Sequence, residues 1–201
     1  MKRRTLLFLS VFALISTSVA GQKDFEPGYI VSLQNDTISG QIKDRKSGMF
    51  PDILKKIQFK SDGALFKRKY SATKILGYKV GDRVYESVGI DEESHFFKTQ
   101  YFVSPNADKT FLRVMETGTL RYYHWEHIDQ DNNTIDYIPF FYLEGRGEMV
   151  RATQGVLGLK KKLLSEYFYD CPELVQKIEN KQITAPFEVV DFFRERCGGG
   201  E

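Results

Sequence analysis

Hydrophobic and polar residues alternate with a period of two between Tyr29 and about Thr153. A period of two places successive side chains on opposite faces of a strand, so the pattern predicts β structure. Turn residues recur at short intervals, which predicts antiparallel hairpins. We expect about nine or ten strands in one domain over residues 25–154, arranged as a meander, a sandwich or an open barrel. The fold class predicted is mainly β with a C-terminal helical tail.

The period changes to that of a helix after Gly155, where apolar residues recur three or four positions apart. This spacing predicts a helix over 156–169 and a second helix from Pro172 to about Asn180. Proline suits the first turn of a helix, so a third is expected from near Pro186 to Cys197. We expect the tail, residues 155–197, to pack on the β domain and to be followed by a flexible end, residues 198–201.

Residues 1–20 have the three regions of a secretory signal peptide: Lys2, Arg3 and Arg4, then an apolar stretch, then small residues ending at Ala20. Cleavage is expected before Gly21 or before Gln22. A retained membrane anchor is the alternative, but the apolar stretch is shorter than the roughly 20 residues that a spanning helix needs. We therefore expect a periplasmic or secreted protein, with peripheral attachment to the outer membrane as a variant. No transmembrane segment is predicted after cleavage.

Two cysteines, Cys171 and Cys197, lie in the predicted helical tail. An exported chain enters an oxidising space, where such a pair can form a disulfide. If the second and third helices are antiparallel, the two thiols meet. The alternative is two separate buried thiols, and the sequence leaves both open.

The composition is that of a folded, aromatic-rich protein, with 41% hydrophobic residues, 16 Phe, 11 Tyr and 1 Trp. The net charge of +2 becomes −1 when the three basic residues of the leader are subtracted. This balance disfavours a globally basic nucleic-acid binder, so no nucleic acid is expected as a partner.

The charge is unevenly distributed along the chain. Residues 43–79 hold 11 basic and 3 acidic residues, a net charge of +8, whereas residues 80–150 hold 6 basic and 13 acidic residues, a net charge of −7. The two segments can face each other across the sheet. Alternatively, the first forms a basic contact face for an anionic envelope polymer, a lipid headgroup or another envelope protein. The candidate residues of this face are Lys55, Lys56, Lys60, Lys67, Arg68 and Lys69. Phe59, Phe66 and Tyr70 lie among them and could stack on sugars, although we expect them in the core.

The densest set of candidate metal ligands is His124-Trp125-Glu126-His127. In a strand, His124 and Glu126 point to one face and His127 to the other, so this spacing does not assemble a site. We expect surface imidazoles beside a core Trp125, with no metal and no cofactor. No glycine-flanked nucleophile elbow occurs, and no catalytic residue is assigned.

Two segments carry a resemblance to a family. They are Gly28-Tyr29-Ile30-Val31 with Asp36-Thr37 and Gly40, and Asp170-Cys171-Pro172-Glu173-Leu174 with Lys177-Ile178. With these motifs, the chain resembles small secreted proteins of Bacteroidota that have no assigned function. The resemblance implies no activity, cofactor or catalytic residue. Asp36-Thr37-Ile38 is also similar to an O-glycosylation acceptor of exported proteins in that phylum, which would modify Thr37. A turn residue followed by a β-branched strand residue is the simpler interpretation.

These observations favour a non-enzymatic exported envelope protein that acts as a binding or assembly module. One alternative is a periplasmic hydrolase of envelope glycans or peptides, whose carboxylates would converge only in the fold. The other is a lipid-binding carrier, which would need an apolar cavity that opens to solvent.

Overall fold

The computed structural model describes residues 25–45, 56–96, 98–129 and 134–198. These residues form eleven antiparallel strands followed by three helices, which confirms the predicted fold class. The strands are β1 (Glu26–Ser32), β2 (Thr37–Lys43), β3 (Lys56–Ser61), β4 (Arg68–Ser71), β5 (Ile75–Val80), β6 (Arg83–His95), β7 (Lys98–Val103), β8 (Lys109–Glu116), β9 (Leu120–Asp129), β10 (Thr134–Leu143) and β11 (Glu148–Arg151). The helices are α1 (Lys161–Tyr167), α2 (Pro172–Glu179) and α3 (Pro186–Arg196).

Six of the strands close into a barrel in the order β6-β7-β11-β10-β9-β8, because β8 also pairs with β6. The other five extend from β6 as an outer sheet in the order β5-β1-β2-β3-β4, so that β4 is the last strand. The long strand β6 serves both parts, since its first half pairs with β5 and β8 and its second half with β7. The barrel is closed, whereas the sequence left a meander, a sandwich and an open barrel as alternatives.

Gly89 lies where β6 passes from β8 to β7. Its carbonyl accepts a hydrogen bond from the amide of Ser104, and a Cβ at this position would lie 2.1 Å from the Ser104 carbonyl oxygen. Only glycine permits this approach of the two backbones. The alternation of residues 83–88 predicts a strand that ends at Val88, whereas β6 continues through Gly89 to His95.

Three buried clusters form the core. One fills the barrel, since all six of its strands contribute side chains, Trp125 among them. A second lies between the outer sheet and the strands β6 and β8, where Tyr85 and Phe111 are almost fully buried. The third joins the three helices to β9, β10 and β11. The helical tail therefore shares a core with one side of the barrel.

The first predicted helix, 156–169, is wrong in extent. A short 3₁₀ turn occupies Gly155–Leu157, and α1 begins only at Lys161. Gly158 separates them with φ at 77°, a left-handed conformation that interrupts helical hydrogen bonding. The second and third helices begin at Pro172 and Pro186, the proline positions expected for them. No helix among the described residues is long and apolar enough to cross a membrane.

A disulfide joins Cys171, the residue before α2, to Cys197, the residue after α3. The two Cα atoms are 5.6 Å apart. The structure therefore has the bridge and not the pair of separate thiols. The cross-link ties the start of one helix to the end of the other, and both cysteines lie against the cluster that contacts the barrel.

Candidate functional site

The hairpin loop between β3 and β4 exposes two adjacent large apolar side chains. Leu65 is 85% exposed and Phe66 is 82% exposed. The loop is long because β3 and β4 pair only between Lys56–Phe59 and Arg68–Ser71. Gly63, with φ at 75°, provides the turn that directs the loop away from β3. We call residues 60–69 the β3–β4 tip.

Four predicted contact residues lie within this tip. Lys67, Arg68 and Lys69 are exposed and follow Phe66 directly, and Lys60 is half-buried at the end of β3. Asp62 is the one acidic residue between positions 60 and 69, so four positive charges minus one negative charge leave the tip at +3. The tip thus combines exposed apolar area with a cluster of cations.

Lys56, a further member of the predicted basic face, does not join this cluster. Lys56 opposes Ser71 at the opposite end of β3 and lines a groove described below. Lys55 lies outside the described residues. Of the described members of the predicted face, the four in the tip therefore lie together.

The expectation that Phe59, Phe66 and Tyr70 all lie in the core is wrong for Phe66. Phe59 is 3% exposed and packs edge-on against the half-buried Tyr70, with ring centroids 6.1 Å apart. Phe66 precedes β4 and has no strand opposite it, so strand alternation does not direct its side chain inward. It instead borders an open cleft of about 310 Å³, which Leu65 and the 40% exposed Ile38 also line.

A groove of about 660 Å³ separates the outer sheet from one side of the barrel. Arg45 crosses its floor, where Nη2 donates a hydrogen bond to Glu126 Oε2 at 2.9 Å and Nε donates to the Tyr78 hydroxyl at 3.1 Å. Tyr78 in turn donates to Asp44 Oδ1 at 2.7 Å. Burial opposes the charge of Arg45, but Tyr78, Asp44 and Glu126 raise its pKa above the ordinary value.

Two further arginines, Arg83 and Arg113, extend this network, so that guanidinium and carboxylate groups alternate along it. Arg83 Nη1 lies 3.5 Å from Asp44 Oδ2, and Arg113 Nη1 lies 4.0 Å from Glu126 Oε1. Tyr85 also donates to Glu126 Oε1, at 3.3 Å. Asp44 and Glu126 therefore both face guanidinium groups. This arrangement cross-links the outer sheet to the barrel.

The predicted surface imidazole at His124 is wrong, because its side chain is buried at 8% exposure. The ring stacks on Tyr137 with centroids 3.9 Å apart, and its Nε2 lies 2.8 Å from the Tyr122 hydroxyl. Burial, together with the Arg113 cation, lowers the pKa of His124 to about 4. His127 is exposed, as expected. No group of three or more potential metal ligands occurs in the part of the chain that the structure describes.

Thr37, the candidate glycosylation residue, is exposed at the first position of β2. It directly follows the turn that carries Asp36. The predicted signal peptide and both cleavage positions precede the described residues. These predictions remain expectations from the sequence.

No protein-family model, no curated protein and no solved structure matches this chain. Sequence reasoning identified the cations of the β3–β4 tip but missed the exposure of Leu65 and Phe66 beside them. It also missed Arg45, because nothing in the local sequence signals a partner 81 positions away.

Proposed function

We propose that this protein is an exported, non-enzymatic binding module that docks on an anionic lipid surface through the β3–β4 tip. The observation that carries the proposal is the adjacent exposure of Leu65 and Phe66 beside Lys67, Arg68 and Lys69. Apolar side chains enter the boundary between headgroups and acyl chains, while flanking cations contact anionic headgroups. Attachment would be peripheral and reversible.

Estimated magnitudes support a combined mechanism. Full transfer of a Leu or Phe side chain from water is worth roughly 1.5–3 kcal/mol. Each Lys or Arg near an anionic surface adds about 1 kcal/mol. Neither contribution alone holds a protein firmly on a membrane, but two kinds of signal together do. We therefore expect binding to require both the apolar pair and the cations.

Protection of an edge strand is a competing explanation for the basic residues. β4 is the last strand of the outer sheet, and charged side chains on such strands hinder edge-to-edge association. This explains Arg68 and Lys69 but not Leu65 and Phe66, since exposed apolar residues promote association. An anionic lipid surface accepts both charged and apolar side chains, so it accounts for all four of these residues.

Vesicle flotation tests the proposal. We expect the protein to float with vesicles that contain phosphatidylglycerol and to remain behind with pure phosphatidylcholine vesicles. The variant L65S/F66S and the variant K67Q/R68Q/K69Q should each bind at least about tenfold more weakly, since each removes one of the two contributions. A matched control is Y169S, which removes an exposed aromatic side chain that follows α1 and should leave binding unchanged.

The salt dependence of vesicle binding distinguishes this mechanism from purely electrostatic adsorption through the cations. Raising the ionic strength from about 0.05 to 0.5 M should weaken vesicle binding, because exposed charges are screened. Residual binding at high salt should disappear in L65S/F66S. Equal flotation of wild type and both tip variants would contradict the proposal, and selective capture by an anionic polysaccharide instead of vesicles would replace it.

Export is a separate part of the proposal and is supported by the pattern of residues 1–20. Fractionation of the producing cells should recover a chain that begins at Gly21 or Gln22 outside the cytoplasm. N-terminal sequencing of the recovered protein measures this directly. A cytoplasmic chain with its leader intact would refute export without affecting the vesicle result.

A further inference from the structure

A further cavity lies beside α1, where the pairing between β7 and β11 ends. β11 pairs with β7 at only two positions, Glu148 with Phe102 and Met149 with Tyr101. Beyond Met149 the two strands are no longer paired, and a cavity of about 200 Å³ lies between them and α1. This cavity is distinct from the β3–β4 tip, and the inference drawn from it does not depend on the proposed function.

Arg151, the last residue of β11, lines this cavity and is half-buried. Its Nε is buried and has no hydrogen-bond partner, and its guanidinium forms no ion pair with any described residue. Glu148 and Glu166 also line the cavity, yet neither is paired with Arg151 in the described part of the chain. A buried guanidinium donor without an acceptor is costly, because its hydration is lost and nothing replaces it.

Lys160 lines the same cavity and adds a second positive charge. Burial, and after it the proximity of Arg151, lowers the pKa of Lys160 below its ordinary value. The two cations therefore repel each other across the cavity. An anion between them would relieve this repulsion and accept hydrogen bonds from the accessible part of the Arg151 guanidinium.

The cavity continues into an open cleft of about 660 Å³, since both are lined by Thr99, Lys160, Leu163 and Glu166. Leu157 and Leu159 line the cleft as well, and Leu157 is 75% exposed. A cavity with two cations that opens into a cleft with apolar side chains is suited to a molecule with one negatively charged end and an apolar chain.

We propose that Arg151 and Lys160 bind the oxyanion headgroup of a small amphiphile, a carboxylate or a phosphate, whose aliphatic chain lies along Leu157, Leu159 and Leu163. Arg151 contributes directional N–H donors, and Lys160 contributes a second positive charge. The chain lies in the cleft and adds apolar contact to the electrostatic attraction. Carboxylate and phosphate share this chemistry, so the experiment must distinguish them.

Calorimetric titration of the full-length protein with four probes tests the proposal: acetate, inorganic phosphate, octanoate and octyl phosphate. We expect octanoate or octyl phosphate to bind at least about tenfold more tightly than its headgroup alone, because the chain buries apolar area. The stronger headgroup identifies the oxyanion. The variants R151M and K160M should each weaken binding at least about tenfold. R196M, which removes an exposed arginine of α3, is the matched control and should bind as wild type does.

Two further readouts keep the test independent of folding defects in the variants. Without anion, R151M should melt at the same temperature as wild type or higher, because it removes an unsatisfied buried donor. In wild type, the bound probe should shift the ¹⁵N resonance of Arg151 Nε. Absence of binding by every probe, or equal binding by wild type and R151M, would overturn the proposal. An unshifted Nε resonance at saturation would place the anion elsewhere and overturn it as well.

Discussion

Arg45 connects two parts of the molecule that are far apart in the chain. It extends from the end of β2 to Glu126 on β9 and to Tyr78 on β5, and its guanidinium lies 4.8 Å from the ring centre of Tyr85. Only 12% of its side chain is exposed, so the ion pair is shielded from solvent. Removal of one partner from a buried pair leaves the other charge without compensation.

We therefore expect R45M to lower the free energy of unfolding by about 3 kcal/mol. The matched control is R194M, because Arg194 pairs with Glu116 at the same 2.9 Å but has 56% of its side chain exposed. The control should lose less than about 1 kcal/mol, since exposed ion pairs contribute little. Urea unfolding curves of the two variants measure the difference. Equal losses would show that the Arg45 network does not stabilise the fold.

His124 should make stability depend on pH. Its pKa is lowered to about 4 in the folded protein, against about 6.5 in the unfolded chain. The unfolded chain therefore binds more protons between these values, so the stabilisation present above pH 6.5 declines as the pH falls and is lost near pH 4. The loss amounts to about 3 kcal/mol at most.

The measurement is urea unfolding of wild type and H124Q at several pH values between about 4 and 7. The variant should be less stable at pH 7, because it loses the stacking on Tyr137. Its stability should also decline less steeply with falling pH, since it has no imidazole to protonate. Parallel curves for the two proteins would mean that His124 titrates normally in the folded state.

At the scale of elements, the alternation of residues predicted most strands well, because an amphipathic strand needs only its own sequence to reveal one buried face. Closure of the barrel was not predicted. The pairing of β6 with β8 ends at Gly89, where the backbone lies too close to the Ser104 carbonyl oxygen for any side chain, and the local sequence does not reveal this contact. The first helix was predicted too long, because the spacing of leucines does not reveal the break in the backbone at Gly158.

At the candidate site, too, only part of the arrangement could be predicted from the sequence. Lys67, Arg68 and Lys69 were identifiable from the sequence as a cluster of charge. The exposure of Phe66 was not, because a hydrophobic residue in an alternating pattern is normally assigned to a core face. Its position follows from the short pairing of β3 with β4, which is a property of the sheet and not of the local sequence.

The disulfide between Cys171 and Cys197 should stabilise the helical tail. It closes a loop of 26 residues, which restricts the unfolded chain and is worth about 2–4 kcal/mol. A reducing agent should therefore lower the melting temperature of wild type. The variant C171S/C197S should melt at a lower temperature from the start and should not respond to reductant.

A thiol count before reduction completes this test. Fewer than two free thiols in the unfolded, unreduced protein are expected. Two free thiols together with an unchanged melting curve would exclude the bridge.

At the scale of the whole molecule, the barrel carries helices on β9, β10 and β11 and an outer sheet on the side of β6 and β8. The β3–β4 tip lies at the free end of that sheet, five strands away from the barrel strand β6 in the sheet order. This position leaves Leu65 and Phe66 free of the barrel and of the helices.

Fluorescence of the variant F66W tests lipid docking most directly, because it reports the environment of the residue that carries the proposal. Native Trp125, the chain's single Trp, is half-buried in the barrel and supplies a constant background measured on wild type. The control is Y169W, which substitutes an exposed aromatic residue that follows α1. With phosphatidylglycerol vesicles, the emission of F66W should shift to shorter wavelength and be quenched by brominated acyl chains, whereas that of Y169W should not change. An unchanged F66W spectrum at saturating anionic lipid would contradict the account.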